Sequence, residues 1–394
     1  MSRSRPLLLL IAYIGFISLG LPDTLIGVAW PSVRDHFHLQ QSAIAFIFFG
    51  GGCSYFLSSF FTGRLLQVFG IGMLLASSSA LVALSGFGYG LAPLWALFAA
   101  CSLLHGLGSG AIDAGLNHYA AHHFSAKHMN WLHACYALGA TLGPLIMTGV
   151  IAWHRSWRVG YLTVATILFS LALLFTVTRR KWDEPGQENK SEGEKQEAPP
   201  ASMADTLRHP TVWLQVILFF IYTGLEVTVG QWSFTVLTES RGIQKESAGL
   251  WVTIYWGSIA VGRVLFGFVV DRLGIDKLIR LSLLTALAST TLFALNLSPA
   301  TSSLALALAG LGLASIFPCM MTRTPQRLGK ALAAHAIGFQ VSAAMLGAAS
   351  LPSLSGLFAQ RLGLNAVATA AVVMAAVLFL LHESVLLRDR QRFA

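Results

Sequence analysis

Residues 267–274 read GFVVDRLG, and 204 positions earlier residues 63–70 read GRLLQVFG. Each copy begins and ends on glycine, and each joins two long apolar runs. Nearly the same offset recurs elsewhere. GLPDTLIGVAW begins at Gly20 and GLEVTVGQW at Gly224, with Trp30 and Trp232 closing the two matches. GLG begins at Gly106 and again at Gly310, and His-Ala at His133 and again at His335. One such match means little; four at nearly one offset predict two parallel repeats, an architecture that places a solute near the bilayer midplane between them.

The runs around these landmarks are long enough to cross a bilayer. The 394 residues are 55% hydrophobic and only 11% charged, with mean hydropathy +0.66, whereas a soluble domain is about 25% charged. At about 20 apolar residues per crossing, twelve spans are expected: 7–31, 42–61, 71–90, 94–120, 131–152, 158–178, 211–237, 248–270, 277–297, 302–322, 331–352 and 364–386. The first run extends too far for a signal-peptide core of about 7–15 residues, so it reads as an uncleaved helix. Residues 179–210 are polar, mixed in charge and Pro-containing, and cannot bury a core. They read as a linker between an N-terminal six-helix bundle (1–178) and a C-terminal one (211–394). The expected fold class is therefore an all-α membrane protein of two six-helix bundles.

Charge sets the expected orientation. With both termini and the linker inside, 19 of the 26 Lys and Arg fall in inner segments and six in outer ones, with Arg263 inside a span. That bias predicts cytoplasmic termini in a plasma (bacterial inner) membrane. It also accounts for the net charge of +9 without nucleic acid. Cys53, Cys101, Cys135 and Cys319 all lie in apolar runs and read as small packing residues.

Chemistry is expected where charge enters the apolar runs. Only Asp23, Asp113 and Glu226 put carboxylates deep in spans, where an ionisable group costs roughly 2.5–3.5 kcal/mol and is retained for function or a partner. Asp113 belongs to CSLLHGLGSGAIDAGLNHYA (101–120), in which His105, Ser109, Asp113 and Asn117 follow at four-residue steps and form one polar stripe on a helix. A buried carboxylate that alternates between wet and dry surroundings can take and release a proton, so the three acids are candidate proton-coupling groups. For Glu226 the competing reading is a structural ion pair with Arg263. Asn117, Gln231 and Gln340 offer amide donors and acceptors to a hydroxyl-rich solute. Tyr136, Trp232 and Trp256, with Trp30 and Tyr255 behind them, offer faces for a sugar ring; the competing reading is interfacial anchoring or packing. His105, His118, His133 and His335 read as neutral hydrogen-bonding groups. The pairs His36/His38 and His122/His123 lie in loops without thiols, and no metal or cofactor is expected.

The two octapeptides resemble the Gly-x-x-x-Asp-Arg-x-Gly loop of the major facilitator superfamily. Gly267, Asp271, Arg272 and Gly274 match it; the first copy keeps Gly63, Arg64 and Gly70 but has Gln67 and Val68 at the acidic and basic positions. Within that superfamily the chain resembles the fucose:proton symporters and related sugar carriers, in the acid of span 1 (Asp23), the acidic-x-x-x-Asn pair of span 4 (Asp113, Asn117) and Phe317-Pro318 in span 10. The resemblance implies a monomeric, proton-coupled carrier importing a small sugar-like solute by alternating access, with Gly63, Arg64, Gly267, Asp271, Arg272 and Gly274 as inner-gate residues. Sodium remains an alternative coupling ion, since carboxylates and carbonyls also coordinate it. The run LGATLGPLIMTG of span 5, with Gly139, Gly143, Pro144 and Gly149, partly resembles drug:proton antiporters; its other reading is close helix packing. No GxSxG, P-loop lysine or metal-ligand cluster suggests an enzyme or ATP-driven transport.

Overall fold

The computed structural model describes residues 4–124, 126–182 and 203–393. Residues 183–202 of the expected linker lie outside them. The helices are α1 (Ser4–Asp23), α2 (Leu25–His36), α3 (Ala45–Leu91), α4 (Trp95–His123), α5 (Ala126–Ala152), α6 (Trp157–Trp182), α7 (Met203–Leu207), α8 (Pro210–Thr235), α9 (Lys245–Leu273), α10 (Ile275–Leu295), α11 (Pro299–Ala314), α12 (Ile316–Leu328), α13 (Lys330–Leu362) and α14 (Asn365–Phe393). A π-helical turn, Val236–Ser240, extends α8. The chain divides into two compact units, Met1–Ser191 with Gln244–Trp256, and Glu192–Ile243 with Gly257–Ala394.

Among the described residues eleven helical stretches are long and apolar enough to cross a membrane. The longest, Gln41–Leu91, has 51 residues, about twice what one crossing needs. It is two spans joined at Gly70, whose backbone at φ 71, ψ 164 leaves the helical region. The described residues therefore provide twelve spans. Gly274 has nearly the same conformation, φ 78 and ψ 149, ahead of α10. These two glycines end the octapeptides of the sequence repeat, and the turn requires a left-handed φ that only glycine adopts at little cost. Large apolar side chains such as Phe46, Phe60, Val177 and Phe268 stand exposed on the helices, as they must where hydrocarbon replaces water.

Two spans are interrupted. Span 1 continues through Pro22 to Asp23 and breaks at Thr24, whose hydroxyl donates to the Ala140 carbonyl at 2.9 Å. Span 10 breaks at Ser315, where Pro318 would clash with the carbonyl of Ala314 four residues back. Its start is fixed by a capping box between Ser298 and Thr301 with Pro299 in the first turn.

Helix contacts repeat between the units. In the first, α1 lies on α5 and α3 on α4 and α6; in the second, α8 lies on α13 and α10 on α11 and α14. A side chain at Gly108 would strike the Ser78 carbonyl and Val82; one at Gly312 would strike the Ser282 carbonyl and Ala286. All three positions shift by the offset of the sequence repeat. Gly20 faces the backbone of Tyr136 and Ala140, while Gly139 and Gly143 face the carbonyls of Ile17 and Leu21. The span 5 glycines that partly resemble an antiporter motif thus serve the α1–α5 contact, with Gly149 facing open space. Of the four cysteines, all free, Cys101 and Cys319 are buried, Cys135 is intermediate, and Cys53 is exposed rather than packed away.

Candidate functional site

The polar stripe of α4 meets groups from three other helices within the first unit. Asp23 ends α1 at the break. His105 Nε2 lies 2.8 Å from its Oδ1, and the Tyr136 hydroxyl of α5 donates to its Oδ2 at 3.0 Å. Two turns along α4, Asp113 is held in the same manner. Tyr55 of α3 donates to its Oδ2 at 2.6 Å, and Asn117 Nδ2 donates to its Oδ1 at 2.9 Å and to its backbone carbonyl at 3.0 Å. Both carboxylates thus have donors on both oxygens, the arrangement an ionised acid requires away from bulk water. Neither is sealed: the Asp23 side chain is 32% exposed, and Asp113 and Asn117 are half-buried.

Local sequence produces this geometry. Gly106 and Gly110 of α4 face Gly51 and Tyr55 of α3, so the two backbones approach closely and Tyr55 reaches Asp113. The α1–α5 glycine contact likewise brings Tyr136 to Asp23. Two buried atoms on the stripe, His105 Nδ1 and Ser109 Oγ, have no hydrogen-bond partner. Such a buried group costs about 1–3 kcal/mol.

The third acid differs. Glu226, midway along α8 and buried, lies 3.6 Å from Arg263 Nη2 of α9, both in the second unit. The structural reading of Glu226 as the partner of Arg263 is thus realised in the geometry. The remaining amide and indole candidates, from both units, are buried. Trp232 is fully buried and donates its indole N–H to the Pro352 carbonyl at 2.9 Å. Gln340 is fully buried between Gln215 and Thr324, at 2.7 and 3.0 Å. Gln231 is buried on the same helix as Trp232. Trp30, also fully buried, donates to Gln41 and lies against Trp95. Trp256 is buried beside Tyr255, but its Nε1 has no partner.

Side chains at Gly63 and Gly267 would meet nothing within 4 Å, and Arg64, Asp271, Arg272 and Gly274 are exposed. The ion pairs of the second unit are made by other residues. Asp276 accepts from Arg323 at 3.1 and 2.7 Å and from Arg327 at 3.0 Å; Arg327 reaches Asp389 at 2.8 Å, and Arg280 binds Glu383 through two bonds of 2.7 and 2.6 Å. Sequence reading passed over these residues because basic groups at span ends look like ordinary positive-inside charge. It also missed Tyr55, whose one signal is a phenol in the middle of an apolar run rather than at its edge. His36 contacts Arg158 at 3.1 Å, His123 stacks on Tyr119, His133 lies edge-on to Phe16, and the His122 side chain lies outside the described residues.

A family model described as the Major Facilitator Superfamily matches residues 12–343 and 231–392. Sodium-dependent glucose transporter 1 of Homo sapiens is 24% identical over 382 residues, covering 87% of this chain and 71% of that protein. The glucose/mannose transporter GlcP of Bacillus subtilis is 24% identical over 330 residues, covering 79% and 78%. Among solved structures, a bacterial homologue of the human lysosomal transporter Spinster, inward-facing and occupied, superposes with a TM-score of 0.77 at 12% identity over 99% of both chains.

Proposed function

The chain belongs to the major facilitator superfamily, and we propose that it is a proton-coupled importer of a small sugar working by alternating access. Transport, not catalysis, is the activity of this family and of the relatives named above. Sugar as the solute class is supported by those two relatives, both named as glucose transporters. The observation that carries proton coupling is the doubly clasped Asp113. While ionised, it engages the Tyr55 hydroxyl and the Asn117 amide. Protonation removes the charge that holds them and turns one carboxyl oxygen into a donor. Tyr55 and Asn117 are then released to bind sugar hydroxyls, so proton and sugar load together.

Asp23 is the second acid of the coupling site, held by His105 and Tyr136. Trp256 supplies an indole N–H that has no protein acceptor, suited to a sugar oxygen. Glu226 neutralises Arg263, so coupling rests on the first unit. Trp232 and Gln340 stabilise the second unit and are not assigned to the solute. The glycine-bounded loops, with Arg64, Asp271 and Arg272, act at the inner gate. The positive-inside bias supports a plasma-membrane placement with both termini cytoplasmic, and the chain is read as a monomer.

The test is uptake of D-glucose, D-galactose, D-xylose and L-fucose into vesicles containing the purified protein. An imposed inward proton gradient is compared with an imposed sodium gradient. Accumulation of at least one sugar driven by protons without sodium supports the reading. Accumulation only with sodium transfers the coupling role to that ion, and accumulation with neither rejects coupled import.

A further inference from the structure

We propose that His105 carries the transported proton: it takes it at Nδ1, Asp23 stays ionised and holds the resulting imidazolium, and Ser109 passes the proton along α4 to Asp113. The inference deepens the proton-coupled reading and rests on it.

The geometry assigns the tautomer. An ionised carboxylate only accepts hydrogen bonds, so the 2.8 Å contact with Asp23 Oδ1 puts a proton on His105 Nε2. In the neutral ring Nδ1 is then a lone pair, and it is buried without a partner. The next residue of the stripe, Ser109, is 1% exposed, and its Oγ is also without a partner. Four residues of helix rise about 6 Å, so His105, Ser109 and Asp113 form a ladder on one face. A hydroxyl both accepts and donates, which suits the middle rung. A histidine kept only to fix Asp23 would need Nε2 alone and would leave no reason for two buried atoms without partners at successive positions of the stripe.

The step balances. A proton from water adds to Nδ1 and converts imidazole to imidazolium, so the Asp23–His105 pair goes from one negative charge to none. His105 Nδ1 and Ser109 Oγ each lack a partner within hydrogen-bond distance, so water closes the gaps: through it Ser109 Oγ accepts the Nδ1 proton as its own hydroxyl proton passes to Asp113, leaving neutral imidazole, a serine hydroxyl and a neutral acid. Imidazole is the side chain whose ordinary titration falls between about pH 5 and 8. The titratable groups around this path are Asp23 on α1, Tyr55 on α3, Tyr136 and His133 on α5, and Asp113 on α4 itself. Asp23 opposes His105 directly, and Tyr55 and Tyr136 hold the two acids.

The test compares wild type with His105→Asn and Ser109→Ala in proteoliposomes, using D-glucose or, if it is not carried, the best of D-galactose, D-xylose and L-fucose. Asparagine keeps a donor for Asp23 and cannot titrate. The expected result is a loss of about tenfold or more in proton-driven accumulation by His105→Asn, with counterflow falling at least threefold less, and a flattened pH profile of uptake between about pH 5 and 8. Ser109→Ala lowers accumulation in the same direction. His105→Asn accumulating within about twofold of wild type, or accumulation and counterflow falling in parallel, overturns the role while leaving the coupling reading intact. Wild type that shows no proton-driven accumulation sinks that reading and this role together. Should His105→Asn not fold, nitrogen NMR of wild type decides: His105 Nδ1 gaining a proton as pH falls from about 8 to about 5 supports the role, and Nδ1 staying bare throughout overturns it.

Discussion

Asp113→Asn is the substitution whose consequences the geometry fixes most fully. Asparagine is nearly isosteric, and its Oδ1 still accepts from Tyr55, now 2.6 Å from Asp113 Oδ2. Its amide nitrogen turns toward Asn117 Nδ2, so the 2.9 Å bond to Asp113 Oδ1 is lost, while the bond from Asn117 to the backbone carbonyl at 3.0 Å is kept. The net cost to folding is about 1 kcal/mol, and the variant should be recovered folded. The cost to transport is far larger. One proton moving with each sugar couples accumulation to about 2.3 kcal/mol per 100 mV, on the order of 50-fold at equilibrium. Without a titratable group at 113, the internal sugar concentration should rise only to the external one. The assay is uptake and counterflow of labelled sugar in proteoliposomes with an imposed potential, read against a size-exclusion profile that verifies folding. Folded Asp113→Asn protein that still concentrates sugar tens of times would refute the role given to Asp113.

Three further outcomes follow from packing. Gly139→Leu should lower the midpoint of thermal unfolding markedly, since its side chain would enter the Ile17 carbonyl and overpacking costs about 1–3 kcal/mol or more, whereas Gly149→Ala, in open space, should leave the midpoint unchanged or slightly raised. Glu226→Gln should destabilise by about 1–3 kcal/mol by removing the counter-charge of the part-buried Arg263, and adding Arg263→Met should recover much of the loss; a double variant no better than the single one would contradict the structural pairing. Trp232→Phe should cost about 1 kcal/mol in stability, through the lost bond to Pro352, with sugar affinity unchanged in a binding titration.

The fold was legible because its determinants are periodic. Apolar length marks the spans. The glycines at 70 and 274 mark a turn no other residue makes easily, and Gly108 and Gly312 mark the same helix contact in each half. The stripe of α4 was legible for the same reason. Its partners were not: Tyr55 meets Asp113 across 58 residues and Asp23 meets His105 across 82. Nothing local in the sequence reports which faces of two helices meet. Trp232 and Gln340 show a related ambiguity. A polar side chain in a span needs a partner, and the sequence does not say whether the partner is a solute or a neighbouring helix. Here it is the Pro352 carbonyl for one and Gln215 with Thr324 for the other. The ion pairs of Asp276 with Arg323 and Arg327 were hidden at helix ends, where charge is expected in any case.

The most direct test of coupling is the pH of a lightly buffered, sodium-free suspension of proteoliposomes when D-glucose, or the best-carried of the other sugars, is added outside. Transient alkalinisation of the medium, abolished by a protonophore and absent with Asp113→Asn, is the predicted result. Sugar entry with no change in external pH would contradict the account.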